Sequence, residues 1–192
     1  MILVLDADRA ARDLARGALA CPRCGGPLRP WAWAPARRVR QLDGSTVPVR
    51  PRRARCGSCR ATQVLLPAAC LPRCGDATAV IGAVLAAKAA GRGHRRIAAD
   101  LGRPPSTVRR WLRRARGDHA EWLRRQGVEH AGWLAPAVLA DLVAQPTPLG
   151  DALQALAAAV AAYRRRFEHH ADPWTLIGVF TSGRLLIPVP AG

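Results

Sequence analysis

The sequence predicts a mainly α fold with one small β segment near its N-terminus. Three observations support this. Two CxxC pairs, at 21–24 and 56–59, bracket a stretch rich in Pro, Gly and Arg with short alternating apolar runs. From Asp76 onward apolar residues recur three and four apart, the helical period. Within that helical half, "HRRIAADLGRPPSTVRRWLRR" (94–114) combines two short amphipathic runs with a central glycine.

In chain order, Ile2 to Leu5 reads as a short strand and Ala7 to Ala18 as a weak helix. Asp43-Gly44, between two extended stretches, signals a hairpin. Val47 and Val49 alternate with Pro48 and Arg50, and the prolines at 48 and 51 place that strand at an edge. Val80, Ile81, Val84, Leu85 and Lys88 define an amphipathic helix ending near Gly91, and two short helices follow. Asp118, with Glu121 three residues on, reads as the capping box of the next helix. Further helices are expected at about 136–144 and 151–168, separated by the linker "QPTPLG", and a last one from Asp172-Pro173 to Gly183. These runs divide the chain into 1–75, 76–117 and 118–192. There is no internal repeat.

Charge narrows the partner class. Thirty basic residues stand against 13 acidic ones, a net charge of +17. Such a chain attracts polyanions through a sequence-independent term whatever its fold. Lys88 is the only lysine, and arginine suits bidentate contact with phosphate and guanine. Double-stranded DNA is the expected partner, and no small-molecule substrate is evident. "MILVL" meets Asp6 too soon for a signal-peptide core, and "AVIGAVLAAKAA" is too short to span a bilayer. The expectation is a cytoplasmic, nucleoid-associated protein that does not engage membrane. Its cysteines then stay reduced, and paired CxxC motifs point to metal rather than disulfides.

Cys21, Cys24, Cys56 and Cys59 form two pairs with the spacing of zinc knuckles. Two knuckles complete one tetrahedral, structural Zn2+ site, closed to substrate because four thiolates fill it. Gly25 and Gly57 suit the tight turns that aim amides at sulfur, and the intervening hairpin is expected to complete a zinc ribbon. A redox CxxC would need a βαβ context that is missing. Cys70 and Cys74 lack a second pair and read as incidental thiols, and His169-His170 reads as a solvated helix end.

The 94–114 stretch has the positional logic of a helix-turn-helix. Counting from His94, the fifth place needs a small residue where two helices cross and holds Ala98, and the ninth needs a left-handed turn and holds Gly102. Ile97, Leu101, Val108 and Trp111 fill the apolar places, and Pro105 suits a first helical turn. Once these face inward, Ser106, Thr107, Arg109, Arg110, Arg113 and Arg114 face outward. Thr107 and Arg110 are the first candidates for base edges, then Ser106 and Arg109. Arg113, Arg114 and Arg95 are assigned to phosphates.

With these residues in view, "GHRRIAADLGRPPSTVRRWLRRAR" resembles the homeodomain-like helix-turn-helix of bacterial transposases and related regulators. "CPRCGGPLRPW" and "RRARCGSCRATQVLLPAACLP" resemble the zinc-ribbon region of insertion-sequence transposases. The likeness covers about 21–116, and the order also resembles small bacterial proteins that carry this pair without a nuclease domain. It implies Cys21, Cys24, Cys56 and Cys59 as zinc ligands and Pro105 to Arg116 as the recognition helix. One departure stands out: Pro104 occupies the place of the usual Ser or Thr cap, a loss of about 1 kcal/mol.

A transposase-type nuclease needs three carboxylates on a sheet to hold two metal ions. After the helix-turn-helix only Asp118, Glu121, Glu129, Asp141, Asp151, Glu168 and Asp172 remain, in a helical context, so catalysis is not expected. Leu153, Leu156, Val160, Tyr163 and Phe167 share one helical face. That face is expected to pack on the chain's own helices, with a homodimer as the alternative. The reading is therefore a non-enzymatic, sequence-specific DNA-binding protein, related to transposases or transcriptional regulators. The alternatives are an accessory whose ribbon docks a transposase or polymerase, and a truncated transposase remnant.

Overall fold

A computed structural model describes residues 1–168 and 170–188. His169 and the end of the apolar tail lie outside the described residues. The architecture is mixed α/β: an N-terminal β-sheet region carrying the four cysteines, then a helical half.

The first strand, β1 (Ile2–Val4), leads into α1 (Ala7–Ala15), whose N-cap Asp6 accepts a hydrogen bond from the Arg9 N–H at 2.8 Å. β2 (Leu28–Trp33), β5 (Arg52–Cys56) and β6 (Thr62–Pro67) form an antiparallel meander, and β1 joins parallel to β6, giving the order β1-β6-β5-β2. The β-sheet is thus larger than a ribbon alone, because the N-terminal strand extends it. A bulge between Pro30 and Ala32 shifts the β2–β5 register. Ala10 and Leu14 of α1 close a small core with Val4, Leu28, Ala54 and Leu65, and Cys21 and Cys56 sit at its margin.

The hairpin at Asp43-Gly44 forms as expected, as β3 (Arg37–Arg40) and β4 (Thr46–Val49), but it does not complete the four-stranded sheet. It is a separate two-stranded sheet inserted between β2 and β5. Val39 is fully buried in the helical core. The Arg37 guanidinium donates to the carbonyls of Leu71 and Cys74 at 3.3 Å. Backbone bonds tie Arg40 N to Gly75 O and Ala77 N to Arg40 O, both at 2.9 Å. The reason is chemical: β4 brings Pro48, which has no N–H for a ladder, so the hairpin pairs with itself and spends its apolar residue elsewhere. Packing is consequently continuous across residue 76.

At the centre of the helical half lies α2 (Thr78–Ala89), with Val80, Ile81, Val84 and Leu85 fully buried. α3 (His94–Asp100) and α4 (Pro105–Arg114) pack on it. α5 (Asp118–Leu134) and α6 (Pro148–Phe167) form a long antiparallel pair linked by a 3-10 helix, Pro136–Asp141, where an α-helix was expected. Gly127 permits the close crossing: a Cβ there would lie 2.5 Å from the backbone of Ala155 and Leu156. α7 (Pro173–Phe180) lies back across α2, and its Trp174 occupies the space left by Gly82.

Two helix starts and one helix end differ from expectation. Asp118 is the first residue of α5, not its cap. Gly117 holds that place, and Glu121 instead pairs with Arg124 at 2.8 Å. α6 begins at Pro148, because Thr147 accepts from the Gly150 N–H at 3.1 Å, so half of the expected linker is helical. α7 starts where expected, with Asp172 accepting from Thr175 N at 2.9 Å, but ends at Phe180, short of Gly183. On α6, Leu156 and Val160 are buried against the chain's own helices, while Phe167 remains 53% exposed. Among the described residues no helix is long and apolar enough to cross a membrane.

Candidate metal centre and nucleic-acid interface

The four cysteines come from two copies of one turn. In the first, Cys21 N donates to Gly26 O at 2.8 Å and Gly25 adopts φ +71°. In the second, Cys56 N donates to Ala61 O at 2.9 Å, and Arg60 takes the left-handed place with φ +63°. The second turn therefore puts a side chain where the first has glycine, at some conformational cost.

These turns bring the sulfurs of Cys21, Cys24, Cys56 and Cys59 within 4.8 Å of one another. The closest approaches are Cys24 to Cys56 at 3.5 Å and Cys21 to Cys59 at 3.7 Å. Thiolates about 2.3 Å from a tetrahedral metal stand about 3.8 Å apart, so the cluster has the dimensions of one four-sulfur metal site. The expected set comes together, and among the described residues no other His, Cys, Asp or Glu joins the cluster. Cys59 N–H approaches the Cys56 sulfur at 3.5 Å. That amide, with the Ser58 N–H and neighbouring thiols, holds the Cys56 thiol at about 6. At Cys59 the Ala61 N–H favours ionisation, but contact with Cys24, burial and the other two thiols outweigh it and push the group up to about 11. Cys70 and Cys74 stand apart from this cluster, and burial pushes both thiols up.

The α3–α4 pair places its expected residues as follows. Ile97, Ala98, Val108, Trp111 and Leu112 are buried, and Leu101 is half-buried. Gly102 has φ +58°, with nothing near its missing Cβ, so backbone conformation alone requires the glycine. α4 starts at Pro105. Pro104 caps it through its carbonyl only, accepting from Thr107 N and Val108 N at 3.0 and 3.2 Å. Arg95, Ser106, Arg109, Arg110, Arg113 and Arg114 are exposed, and Thr107 is half-buried. Among the described residues, none of these arginines has a carboxylate at ion-pair distance.

Arg103 behaves differently, and its spacing carries no sign of it. It is buried in the α3–α4 turn, with Nε 2.6 Å from Asp76 Oδ1 and Nη1 donating to Leu101 O at 2.9 Å. Nη2 reaches the Gln41 carbonyl of the β3–β4 hairpin at 3.4 Å. This arginine locks the turn to the inserted hairpin. A second feature absent from the sequence reading is on β2. Trp31 and Trp33 are 55% and 46% exposed. The Arg55 guanidinium lies 4.6 Å from the Trp31 ring centroid and that of Arg52 4.0 Å from Trp33. The signal available was the W-x-W pair of residues 31–33, whose alternation suits one face of a strand.

No curated protein and no solved structure shows significant similarity to the chain. Residues 21–111, slightly under half the chain, match the family described as "Domain of unknown function (DUF6431)". The matched segment runs from the first cysteine of the metal cluster to Trp111 in the core of the α3–α4 pair, so it contains all four cysteines and α3 but stops short of Arg113 and Arg114 at the end of α4.

Proposed function

We propose that the chain is a non-enzymatic, sequence-specific DNA-binding protein in which α3 and α4 form a homeodomain-like helix-turn-helix and the four cysteines hold one structural zinc ion. The observation that carries this reading is the exposed face of α4. It presents Ser106, Arg109, Arg110, Arg113 and Arg114 without a partner among the described residues, on a helix whose opposite face is fully packed. A solvated charged face ordinarily mixes signs; this one is wholly cationic and shaped to enter a major groove. Thr107 and Arg110 read base edges, while Arg95, Arg113 and Arg114 hold phosphates.

Zinc fits the cysteine cluster because thiolate-only, tetrahedral donor sets favour it. Its role is to fasten β2 to β5 beside a core too small to be stable alone. The later carboxylates support a non-enzymatic reading. Glu121 pairs with Arg124, Asp151 accepts from Gln145 N at 2.7 Å and Asp172 caps α7.

Arg110→Ala tests the function. Sequence-specific duplex binding should weaken by about 1–3 kcal/mol, roughly 5- to 150-fold, with binding to unrelated sequence little changed. Equal affinity of the variant and the parent for a selected site would exclude α4 as the reading element.

A further inference from the structure

A cleft of about 890 Å³ lies between the α3–α4 pair and the α5–α6 hairpin. Its floor is apolar, with Leu112, Ala115 and Ala120 buried beneath it. Its rim carries Lys88, Arg109, Arg113 and Arg116, with His94 beside them and no carboxylate in the lining. An apolar floor inside a ring of cations selects one ligand chemistry: an anion on an apolar body. Arginine forks bind planar oxyanions in bidentate fashion, and three arginines with a lysine around one cleft suit the higher charge of a phosphate. The volume suits a nucleotide-sized ligand.

We propose that this cleft binds an organic phosphate, with its phosphoryl oxygens on Arg109, Arg113 and Arg116 and its apolar body on Leu112, Ala115 and Ala120. The phosphate has two sources, a free nucleotide or the backbone of bound nucleic acid. Arg109 and Arg113 also belong to the proposed DNA face, so a free ligand in the cleft withdraws two cations from that face. Occupancy by a free nucleotide and DNA binding are therefore negatively linked, each weakening the other by the same factor. The linkage rests on the DNA-binding reading; the cleft itself does not.

The test uses the full metal-loaded chain and a fluorescent methylanthraniloyl-ATP probe, alongside a labelled duplex. The variants are Arg116→Ala and Lys88→Ala, both exposed and outside the packed core. Arg165→Ala, exposed on α6 and away from the lining, is the control. The expected result is saturable probe binding, weakened about tenfold or more by Arg116→Ala and unchanged by Arg165→Ala, with probe raising the duplex Kd. If the probe does not bind but Arg116→Ala weakens the duplex and Arg165→Ala does not, the phosphate is a backbone phosphate, and the cleft chemistry stands. Probe and duplex binding both indifferent to Arg116→Ala and Lys88→Ala would overturn the proposal. Probe binding without any duplex binding would retain the cleft and dismiss the DNA reading.

Discussion

Replacing Arg113 by alanine should lower the salt dependence of DNA binding by a calculable step. Arg113 is exposed on the last turns of α4, beside Arg114 and on the same module as Arg95. If these three each neutralise one phosphate, their share of the slope of log K against log salt is about −2.7. Raising salt from about 50 to about 200 mM then costs about 40-fold in affinity from this module. Removing Arg113 leaves about −1.8, a loss of about 12-fold over the same range. Fluorescence anisotropy on a random-sequence duplex measures the slope, because phosphate contacts need no target site. Arg165→Ala controls for net charge, since it removes the same charge from α6. A slope unchanged in Arg113→Ala, or one reduced equally by Arg165→Ala, would refute the assignment. The DNA would then be held by bulk charge, not by this helix.

Other consequences follow from the metal cluster and the buried polar groups. Native mass spectrometry should find one zinc per chain, lost in Cys56→Ser and retained in Cys70→Ser, since only Cys56 belongs to the cluster. Arg103→Ala leaves Asp76 without its guanidinium and should destabilise the fold by about 3–5 kcal/mol in urea unfolding. Arg95→Ala, on the surface, should cost less than about 0.5 kcal/mol. His119 is buried, and burial holds its imidazole below the ordinary range, against the opposing hydrogen bond to Leu185 O at 3.1 Å. The unfolded chain therefore binds this proton more readily than the folded one, so stability falls as pH drops through about 6.5 and below. Thermal unfolding between about pH 7.5 and 5 should show a shallower decline in His119→Gln than in the parent.

The parts of the fold legible in the sequence are those fixed by short spacings. CxxC brings two sulfurs to one turn whatever surrounds it, and the spacing of Ala98, Gly102, Val108 and Trp111 specifies a helix crossing within two dozen residues. The Asp43-Gly44 turn likewise announces its hairpin. What that turn cannot announce is where the hairpin docks. Val39 enters the helical core through contacts with residues far along the chain, and a two-residue turn carries no information about them. The parallel pairing of β1 with β6 is equally remote, joining Ile2 to Leu65. Arg103 sits among exposed arginines in an apparently solvated turn. Its inward course depends on Asp76 and Gln41 being brought there by the hairpin. The capping pattern points to Asp118, one residue past the true cap, because Gly117, with φ +57°, turns the chain immediately before the helix.

The central claim, that α4 reads DNA sequence, is tested most directly by sequencing genomic fragments captured by the zinc-loaded protein at near-physiological salt. The salt matters because a chain of net charge +17 retains any DNA at low ionic strength. The account predicts a shared motif among the captured fragments, lost when Arg110 is replaced by alanine. Captured fragments with no enrichment over input would contradict it.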